Sequence, residues 1–433
     1  MHNVEASAYR VQHFEHAIAC DLTESQVSSI LHTEFSVQVR LTVTGTGAVL
    51  LNPNWDSSAL RRRTEDRADI AAFHASLPGF QPTPLIHLPR LAAEFKVGRV
   101  LVKHEQERLG LPSFKIVGAS WAVHRAVALR SGRAVAPRFG DTVAAAAALP
   151  AGTALSTATD GNHGRAIAHM ARLLGLPCTI YVPSDLGAAR VRSILAEGAT
   201  VTTVHGSYDD TVEYAAREAM RHPEYLLVSD TSWPGYETIP AWVSDGYATI
   251  FDEAYRQLSD LAGRPSEFDI ALVPAGVGAF ASAAVRNLGR NANCDVITVE
   301  PVVADCVRRS LAAGTLTSVP GPHHSIMAGL NCGEVSRIAW PYLRSGVRGA
   351  LAITDEEVRE AMRTFADADI VSGESGAASL AGLTKLSRDP AGSKLLTKER
   401  TVLLLNTESA TDLEAYRRVI ASTAAAPQAG TTA

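Results

Sequence analysis

The stretch that decides the fold of this chain reads Leu111-Pro112-Ser113-Phe114-Lys115-Ile116-Val117-Gly118-Ala119. A Pro-Ser loop precedes Lys115, and the mostly apolar residues after it predict a helix through residue 129. A basic residue is unfavourable at a helix N-terminus, because the helix dipole is positive there. We therefore expect a lowered pKa for Lys115, which favours the neutral amine that condenses with an aldehyde. A surface lysine that happens to start a helix is the alternative.

Lysine is scarce in this chain, so few residues could supply a reactive amine. Arginine carries most of the positive charge, and lysine occurs only at positions 96, 103, 115, 385, 394 and 398. A lysine nucleophile therefore has few candidates, and Lys115 is the one that follows a loop and opens a predicted helix.

Outward from Lys115, short apolar segments alternate with amphipathic segments from about residue 85 onward. Strands are predicted at 99–102, 154–157, 179–182, 200–204, 270–273, 296–299 and 401–405, and helices at 116–129, 165–174, 191–197 and 281–288. This alternation indicates an α/β fold with mainly parallel strands, whose C-terminal edges bind ligands. Earlier in the chain, alternating residues at 37–43 predict one strand, closed by a Gly45-Thr46-Gly47 turn.

Two glycine-containing loops follow predicted strands. The first, residues 157–164, reads Thr-Ala-Thr-Asp-Gly-Asn-His-Gly and precedes a helix whose N-terminus could hold an anion. The second contains Gly276-Val277-Gly278-Ala279, whose backbone N–H groups predict a phosphate nest. It lacks the spacing of a dinucleotide fingerprint and the lysine of a Walker loop. A helix-capping turn for the first loop and a tight turn for the second are the alternatives.

Composition excludes several classes of function. The net charge of -5 offers no basic surface for nucleic acid, and no apolar stretch is long enough to cross a membrane. The chain does not open with a signal-peptide pattern, so the cytoplasm is expected. Its five cysteines contain no Cys-x-x-Cys pair, and we predict neither a disulfide framework nor a metal site. The length of 433 residues predicts a large two-lobed enzyme or two domains.

Six longer strings match a known pattern. They are residues 80–85 (Phe-Gln-Pro-Thr-Pro-Leu), 108–115 (Arg-Leu-Gly-Leu-Pro-Ser-Phe-Lys), 159–164 (Thr-Asp-Gly-Asn-His-Gly), 230–236 (Asp-Thr-Ser-Trp-Pro-Gly-Tyr), 326–330 (Ile-Met-Ala-Gly-Leu) and 372–377 (Ser-Gly-Glu-Ser-Gly-Ala). Through these strings, residues 73–418 resemble the fold-type II pyridoxal-phosphate (PLP) enzymes, and among them the diaminopropionate ammonia-lyases.

The resemblance implies a fold like that of the tryptophan synthase β chain, with two lobes that each hold a mainly parallel twisted sheet flanked by helices. Residues 64–125 and 226–423 would form the large PLP-binding domain, and residues 126–225 the small domain. Residues 1–63 would be an N-terminal extension and residues 424–433 a disordered tail. Such enzymes are commonly homodimers, so a homodimer is expected here.

The resemblance also assigns roles to individual residues. Lys115 would bind the cofactor aldehyde, Asn162 would contact its 3-hydroxyl group, and Asn406 or Thr407 would meet the pyridine nitrogen. The phosphate would be held by Gly276, Val277, Gly278 and Ala279. The tail motif departs from the family, which usually has Ser-Thr-Glu-Gly where this chain has Asn406-Thr407-Glu408-Ser409.

The residue type at position 160 distinguishes between the reactions that such enzymes catalyse. Serine and threonine dehydratases typically carry a hydroxyl residue before the Gly-Asn-His run, whereas this chain has a carboxylate there, and the resemblance makes Asp230 a second one. A carboxylate can pair with a substrate ammonium group or exchange a proton at Cα. Both uses suit a 2,3-diamino acid. A helix cap at Asp160 and a turn residue at Asp230 are the alternatives.

The sequence therefore predicts a PLP-dependent carbon–nitrogen lyase whose substrate is a small amino acid. The expected reaction is elimination of ammonia from 2,3-diaminopropionate or a close analogue, giving pyruvate and ammonia, with Lys115, Asp160 and Asp230 as catalytic residues. A serine/threonine-type dehydratase and a β-replacement enzyme are alternatives on the same fold. A PLP-fold protein that binds or senses an amino acid without turnover is the alternative outside catalysis.

Overall fold

Strands and helices alternate through most of the chain, as the sequence predicts. The computed structural model describes residues 49–56, 66–288 and 294–422, which all lie in one compact unit. The predicted strand at 37–43, its Gly45-Thr46-Gly47 turn and the predicted tail at 424–433 lie outside the described residues. The four described cysteines are free and buried.

The described residues contain eleven strands in two sheets. The strands are β1 Val49–Leu51, β2 Leu85–His87, β3 Arg99–His104, β4 Ala154–Ala158, β5 Cys178–Pro183, β6 Thr200–Val204, β7 Tyr225–Leu227, β8 Ile270–Pro274, β9 Asp295–Pro301, β10 Val347–Ile353 and β11 Thr401–Asn406. Each strand predicted within the described residues is present, extended by at most two residues at either end.

The helices that flank these sheets vary from six to seventeen residues. They are α1 Arg67–Ala75, α2 Pro89–Glu94, α3 Lys115–Ser131, α4 Phe139–Ala147, α5 Asn162–Leu174, α6 Ala188–Leu195, α7 Tyr208–Arg221, α8 Thr238–Gly246, α9 Ala248–Ala262, α10 Ala279–Leu288, α11 Cys306–Ala313, α12 Trp340–Gly346, α13 Asp355–Ala366, α14 Glu374–Arg388 and α15 Leu413–Ala421. None of the helices in the described ranges is long and apolar enough to cross a membrane.

The larger sheet has seven strands in the order β1-β10-β9-β8-β11-β3-β2. Its five inner strands are parallel, and the edge strands β1 and β2 pair antiparallel with β10 and β3. The smaller sheet has four parallel strands in the order β6-β5-β4-β7. The predicted α/β class with mainly parallel strands is therefore confirmed. The division into a large and a small domain stays a prediction.

Apolar side chains cover both faces of the larger sheet. Because successive side chains of a strand point to opposite faces, an inner strand that is buried on both sides carries mostly apolar residues at consecutive positions. Leu101 and Leu403 lie in the core on one face, while Val100 and Leu404 lie in the core on the other. This double burial explains why these strands appear in the sequence as continuous apolar runs.

A buried ionic cluster fixes the chain just before Lys115. Lys103 on β3 donates to Glu253 at 2.8 Å, and the Arg108 guanidinium binds Glu253 and Glu105 at 2.7 and 2.8 Å. Arg108 also opens a tight turn whose second and third residues have positive φ. Lys103 is fully buried in this cluster, which removes it from the candidates for a reactive amine.

Candidate active site

The C-terminal ends of strands from both sheets border one cleft of about 620 Å³. Segments after β3, β8 and β11 of the larger sheet and after β4 and β7 of the smaller sheet contribute to it. The residues that line it include Phe114, Lys115, Asp160, Asn162, Tyr208, Asp230, Gly276, Val277, Gly278, Ala279, Gly329, Leu330, Cys332, Ser375, Thr407 and Glu408. Nine of the ten residues that the sequence predicts for the site line this cleft; the exception is Asn406.

Lys115 is the first residue of α3, and its amine lies in the cleft. Its Nζ donates to Asp230 Oδ2 at 2.6 Å. Burial disfavours the ammonium, but Asp230 first, then Tyr247 and Asp160, together with the hydrogen bond to Asp230, outweigh burial and raise the pKa of Lys115 above its ordinary value. The expectation of a lowered pKa is therefore wrong. A full charge in direct contact outweighs a helix dipole, which is equivalent to about half a charge at the helix end.

Asp230 lies between three polar side chains. One carboxylate oxygen accepts from Lys115, and the other accepts from the Tyr208 hydroxyl at 3.1 Å. The His163 Nδ1 atom is 4.0 Å from Asp230 Oδ2. Burial opposes ionisation of Asp230, yet Lys115 and His163 outweigh it and hold the pKa of this carboxyl well below its usual range. Asp230 is therefore a charged partner of the lysine, and not a residue that only closes a turn.

Thr159, and not Asp160, caps helix α5. The Thr159 hydroxyl oxygen accepts from the backbone N–H groups of Gly161 at 2.9 Å and Gly164 at 2.8 Å. Gly161 occupies the N-cap position of α5 and has no side chain, so the Thr159 hydroxyl supplies the capping hydrogen bond. The alternative that Asp160 serves as the cap is therefore wrong. Its carboxylate is left free to face the cleft.

The Asp160 carboxyl is buried, and charges of both signs lie near it. Burial raises its pKa to about 6, the charge of Lys115 opposes that rise, and the like charge of Asp230 adds to it. A carboxyl with such a pKa changes its protonation near neutral pH, which is the property a general acid or base requires. Asp160 is thus suited to proton exchange, whereas Asp230 is suited to holding positive charge.

The glycine loop after β8 presents its backbone to the same cleft. Residues 276–279 donate no backbone hydrogen bond within the described part of the chain, and α10 begins at Ala279. A Cβ at Gly276 would lie 3.0 Å from Cys332 Sγ and 3.1 Å from the Gly329 carbonyl oxygen. Exposed N–H groups at the start of a helix are an arrangement that binds phosphate, and α10 has ten residues. That residues 276–279 hold a phosphate stays a prediction.

Gly278→Ala tests this loop. Gly278 has a φ of +87°, and a Cβ there would lie 2.7 Å from Leu343 Cδ1. A non-glycine residue with positive φ costs about 1–3 kcal/mol, so we expect loss of stability together with weaker retention of a phosphorylated cofactor. Gly263→Ala is the matched control, because Gly263 also has positive φ but meets no atom within 4 Å. Equal cofactor affinity in the two variants, measured by equilibrium dialysis, would contradict the assignment of the loop.

The third wall of the cleft comes from the segments after β11 and at the start of α14. The Asn162 amide donates to Glu408, whose other carboxylate oxygen accepts from the Ser375 backbone N–H at 3.0 Å. Ser375 Oγ is buried and has no hydrogen-bond partner within the described residues. These polar groups and Thr407 face the cleft together.

Asn406 is placed differently from the other predicted residues. Its side chain is buried, its Oδ1 accepts from Ser372 Oγ at 2.9 Å, and its amide bonds to His104 Nδ1 at 2.7 Å. Thr407 lines the cleft, whereas Asn406 does not. Of the two residues predicted for the pyridine nitrogen, Thr407 is the better placed, and the role itself stays a prediction.

Sequence reasoning missed Tyr208, Ser375 and Glu408. Ser375 lies within the string 372–377 that marks the resemblance, and Glu408 lies in the tail motif 406–409, so the position of both could have been inferred from the sequence. Tyr208 follows an ordinary Gly-Ser turn after β6 and belongs to none of those strings. Only the packing of the two sheets against each other brings it to the cleft.

Comparison with known proteins agrees with this geometry. A family model described as pyridoxal-phosphate dependent enzyme matches residues 77–408. The chain is 36% identical over 379 residues to diaminopropionate ammonia-lyase of Escherichia coli, covering 82% of this chain and 92% of that one. Identity to the Salmonella typhimurium diaminopropionate ammonia-lyase is 33% over 378 residues, covering 81% and 91%.

A solved structure is similar over most of the fold. It is the crystal structure of the Escherichia coli diaminopropionate ammonia lyase in complex with an aminoacrylate-PLP azomethine reaction intermediate. The TM-score is 0.76 at 32% sequence identity, covering 86% of this chain and 96% of that chain.

Proposed function

This chain belongs to the family of pyridoxal-phosphate-dependent enzymes, and on that premise we propose that it eliminates ammonia from 2,3-diaminopropionate or a close analogue. The cofactor is pyridoxal phosphate, and the fold is that of the fold-type II enzymes, as the sequence predicts. The observation that carries the proposed substrate is the Asp160 carboxylate, which has no hydrogen-bond partner within the described residues and lines the same cleft as the Lys115–Asp230 pair.

The side chains present fit this cofactor. The glycine loop has N–H groups that donate to no backbone acceptor among the described residues, and Gly276 lets the loop pass close to Cys332 and Gly329, where a Cβ would be crowded. Lys115 supplies an amine inside the cleft, and Ser375, which also lines it, has a buried hydroxyl without a hydrogen-bond partner among the described residues. We propose that Lys115 binds the cofactor covalently, that residues 276–279 hold its phosphate, and that Asn162 contacts its 3-hydroxyl group.

The residues of the cleft divide the chemistry between them. When bound, pyridoxal phosphate supplies an electron sink for the pair left on the substrate Cα. Lys115 or Asp160 removes the Cα proton, depending on which face of the substrate each meets. The Asp230 carboxylate stabilises positive charge on the Lys115 nitrogen. Loss of the β-amine as ammonia, followed by addition of one water and release of the α-amine, leaves pyruvate and two molecules of ammonia.

Charge favours a diamino acid over a dicarboxylic one. The described side chains that line the cleft include three carboxylates, Asp160, Asp230 and Glu408, and one cation, Lys115. In a partly buried site, such an excess of negative charge attracts a second ammonium group and repels a second carboxylate. A β-ammonium is also the group that the reaction expels. Binding and chemistry therefore favour the same substrate.

The test is to incubate purified protein with each enantiomer of 2,3-diaminopropionate and of serine, measuring pyruvate and ammonia. Diaminopropionate should give two ammonia molecules for each pyruvate, whereas serine gives one. Faster turnover of serine would favour the dehydratase alternative. A new amino acid formed with an added thiol, without pyruvate, would favour β-replacement. Absorbance changes without any product would favour a sensing protein.

We also propose a cytoplasmic homodimer in which residues 64–125 with 226–423 and residues 126–225 form two lobes around the cleft. Support for the lobes is that three of the four strands of the smaller sheet lie within residues 126–225, while the fourth, β7, ends two residues beyond that boundary. Support for the cytoplasm is that the described cysteines are free thiols. The dimer rests on the family resemblance, and light scattering that gives the mass of one chain would contradict it.

A further inference from the structure

Tyr208 contacts both halves of the cleft. It is the first residue of α7, where Ser207 and Asp210 form a capping box that fixes the start of the helix. Its ring is buried in one apolar cluster with Cys332 and with Val277 and Ala279 of the glycine loop, which follows a strand of the larger sheet. Tyr208 itself follows a strand of the smaller sheet. A single side chain therefore bridges the two sheets at the site.

The hydroxyl of Tyr208 points to the charged pair. It donates to Asp230 Oδ1 at 3.1 Å, and the other oxygen of Asp230 accepts from Lys115 at 2.6 Å. Burial, together with the charge of Asp230, raises the pKa of Tyr208 well above its ordinary value, so the hydroxyl keeps its proton and acts as a donor. A carboxylate with both oxygens bonded cannot rotate freely away from the lysine.

We propose that Tyr208 is a positioning residue, whose hydroxyl holds Asp230 against Lys115 while its ring packs on the glycine loop. The lysine and the phosphate site are thereby kept in a fixed relation, although they lie on different strands. This inference rests on the proposed covalent role of Lys115. It does not depend on which amino acid is the substrate.

Other titratable groups near Asp230 also affect its charge, and their effects must be distinguished from that of the Tyr208 hydroxyl. Lys115 and His163 favour the charged carboxylate, and Asp160 is a second carboxylate in the same cleft. His163 Nε2 donates to the Val228 carbonyl at 2.8 Å, which leaves Nδ1 as an unpartnered atom facing Asp230. Tyr208 is thus the neutral hydrogen-bond donor to Asp230 among the described residues, and its removal leaves these charges in place.

The experiment is a spectroscopic pH titration of the cofactor-loaded enzyme without substrate. Cofactor absorbance reports the protonation of the nitrogen that joins the cofactor to Lys115. In Tyr208→Phe the ring remains, so the cofactor should stay bound. Without the hydroxyl, Asp230 is held less closely, and the protonation equilibrium should shift about tenfold toward the neutral nitrogen, a change of the size expected for one hydrogen bond to a charged group.

Matched variants separate the hydroxyl from the ring. Tyr214→Phe, on the same helix but outside the cleft lining, should titrate like wild type. Tyr208→Leu should also raise the cofactor dissociation constant, because it removes the packing on the glycine loop. In an Asp230→Asn background, Tyr208→Phe should add no further shift, since the two act as a unit. A wild-type titration for Tyr208→Phe, or an equal shift with and without Asp230, would overturn the proposal.

Because no substrate is added, the result is independent of the proposed reaction. If the enzyme prefers another amino acid but Tyr208→Phe shifts the titration, the positioning role stands. If diaminopropionate is the substrate and the titration is unchanged, the proposed reaction stands and the role of Tyr208 is wrong.

Discussion

Replacing Lys115 with alanine is expected to abolish covalent attachment of pyridoxal phosphate. Elimination should fall by about 10²–10⁴-fold or more, since a positioned acid or base supplies a factor of that size. The other described lysines are poorly placed for this role. Lys103 is buried in the ionic cluster with Glu253, and Lys385 pairs with Glu357 away from the cleft. Lys115 is the lysine that lines the cleft beside Asp230.

Borohydride reduction of the wild-type protein, followed by peptide mapping, checks this expectation. The cofactor label should be on Lys115, and a label on Lys96 or Lys103 would overturn the assignment. Lys385→Ala is the matched control, because it removes a lysine that lies outside the cleft lining. That variant should keep both the covalent cofactor and its activity.

Asp160→Asn is expected to keep the cofactor bound while elimination falls by about 10²–10⁴-fold for at least one enantiomer of diaminopropionate. The amide cannot accept the Cα proton or pair with the β-ammonium. The opposite enantiomer should lose less if Lys115 serves as its base from the other face. Folding should not suffer, because Thr159 and not Asp160 caps α5.

The rate should also depend on pH in a defined direction. Burial raises the pKa of Asp160 to about 6. Above that pH the carboxylate is available as a base, and below it the group is protonated, so turnover through Asp160 should fall as the pH drops through about 6. The same raised pKa means that the ionised carboxylate destabilises the folded state at neutral pH. The Asn variant should therefore be at least as stable as wild type, and its remaining activity should lack that acidic limb.

Asp209→Asn is the matched control for Asp160. Burial also raises the pKa of Asp209 to about 6, but Asp209 lies outside the lining of the cleft and accepts from the Gly333 backbone N–H. We expect this variant to keep near wild-type kinetics for both enantiomers. Near wild-type rates for Asp160→Asn with both enantiomers would remove the argument for a diamino substrate and favour the dehydratase.

The sequence by itself determined the family and the positions of seven of the eleven described strands. The inner strands are buried on both faces, so β8 and β11 appear as unbroken apolar runs that need no tertiary information to be recognised. Site residues that follow such strands were predicted for the same reason, since parallel strands bring their C-terminal ends to one edge. The short edge strands β1 and β2 have only three residues each and carry no comparable pattern.

Only the tertiary structure decided which charges meet. Lys115 and Asp230 are 115 residues apart in sequence, and their contact reversed the pKa shift that the helix N-terminus alone predicts. The cap at Thr159 and the approach of Tyr208 to Asp230 likewise depend on side-chain placement. The physical reason is the sequence distance over which each effect acts. Apolar periodicity is a property of neighbouring residues in the chain, so it can be recognised in the sequence. A pKa depends on charges a few ångströms away, and folding brings these together from distant parts of the chain.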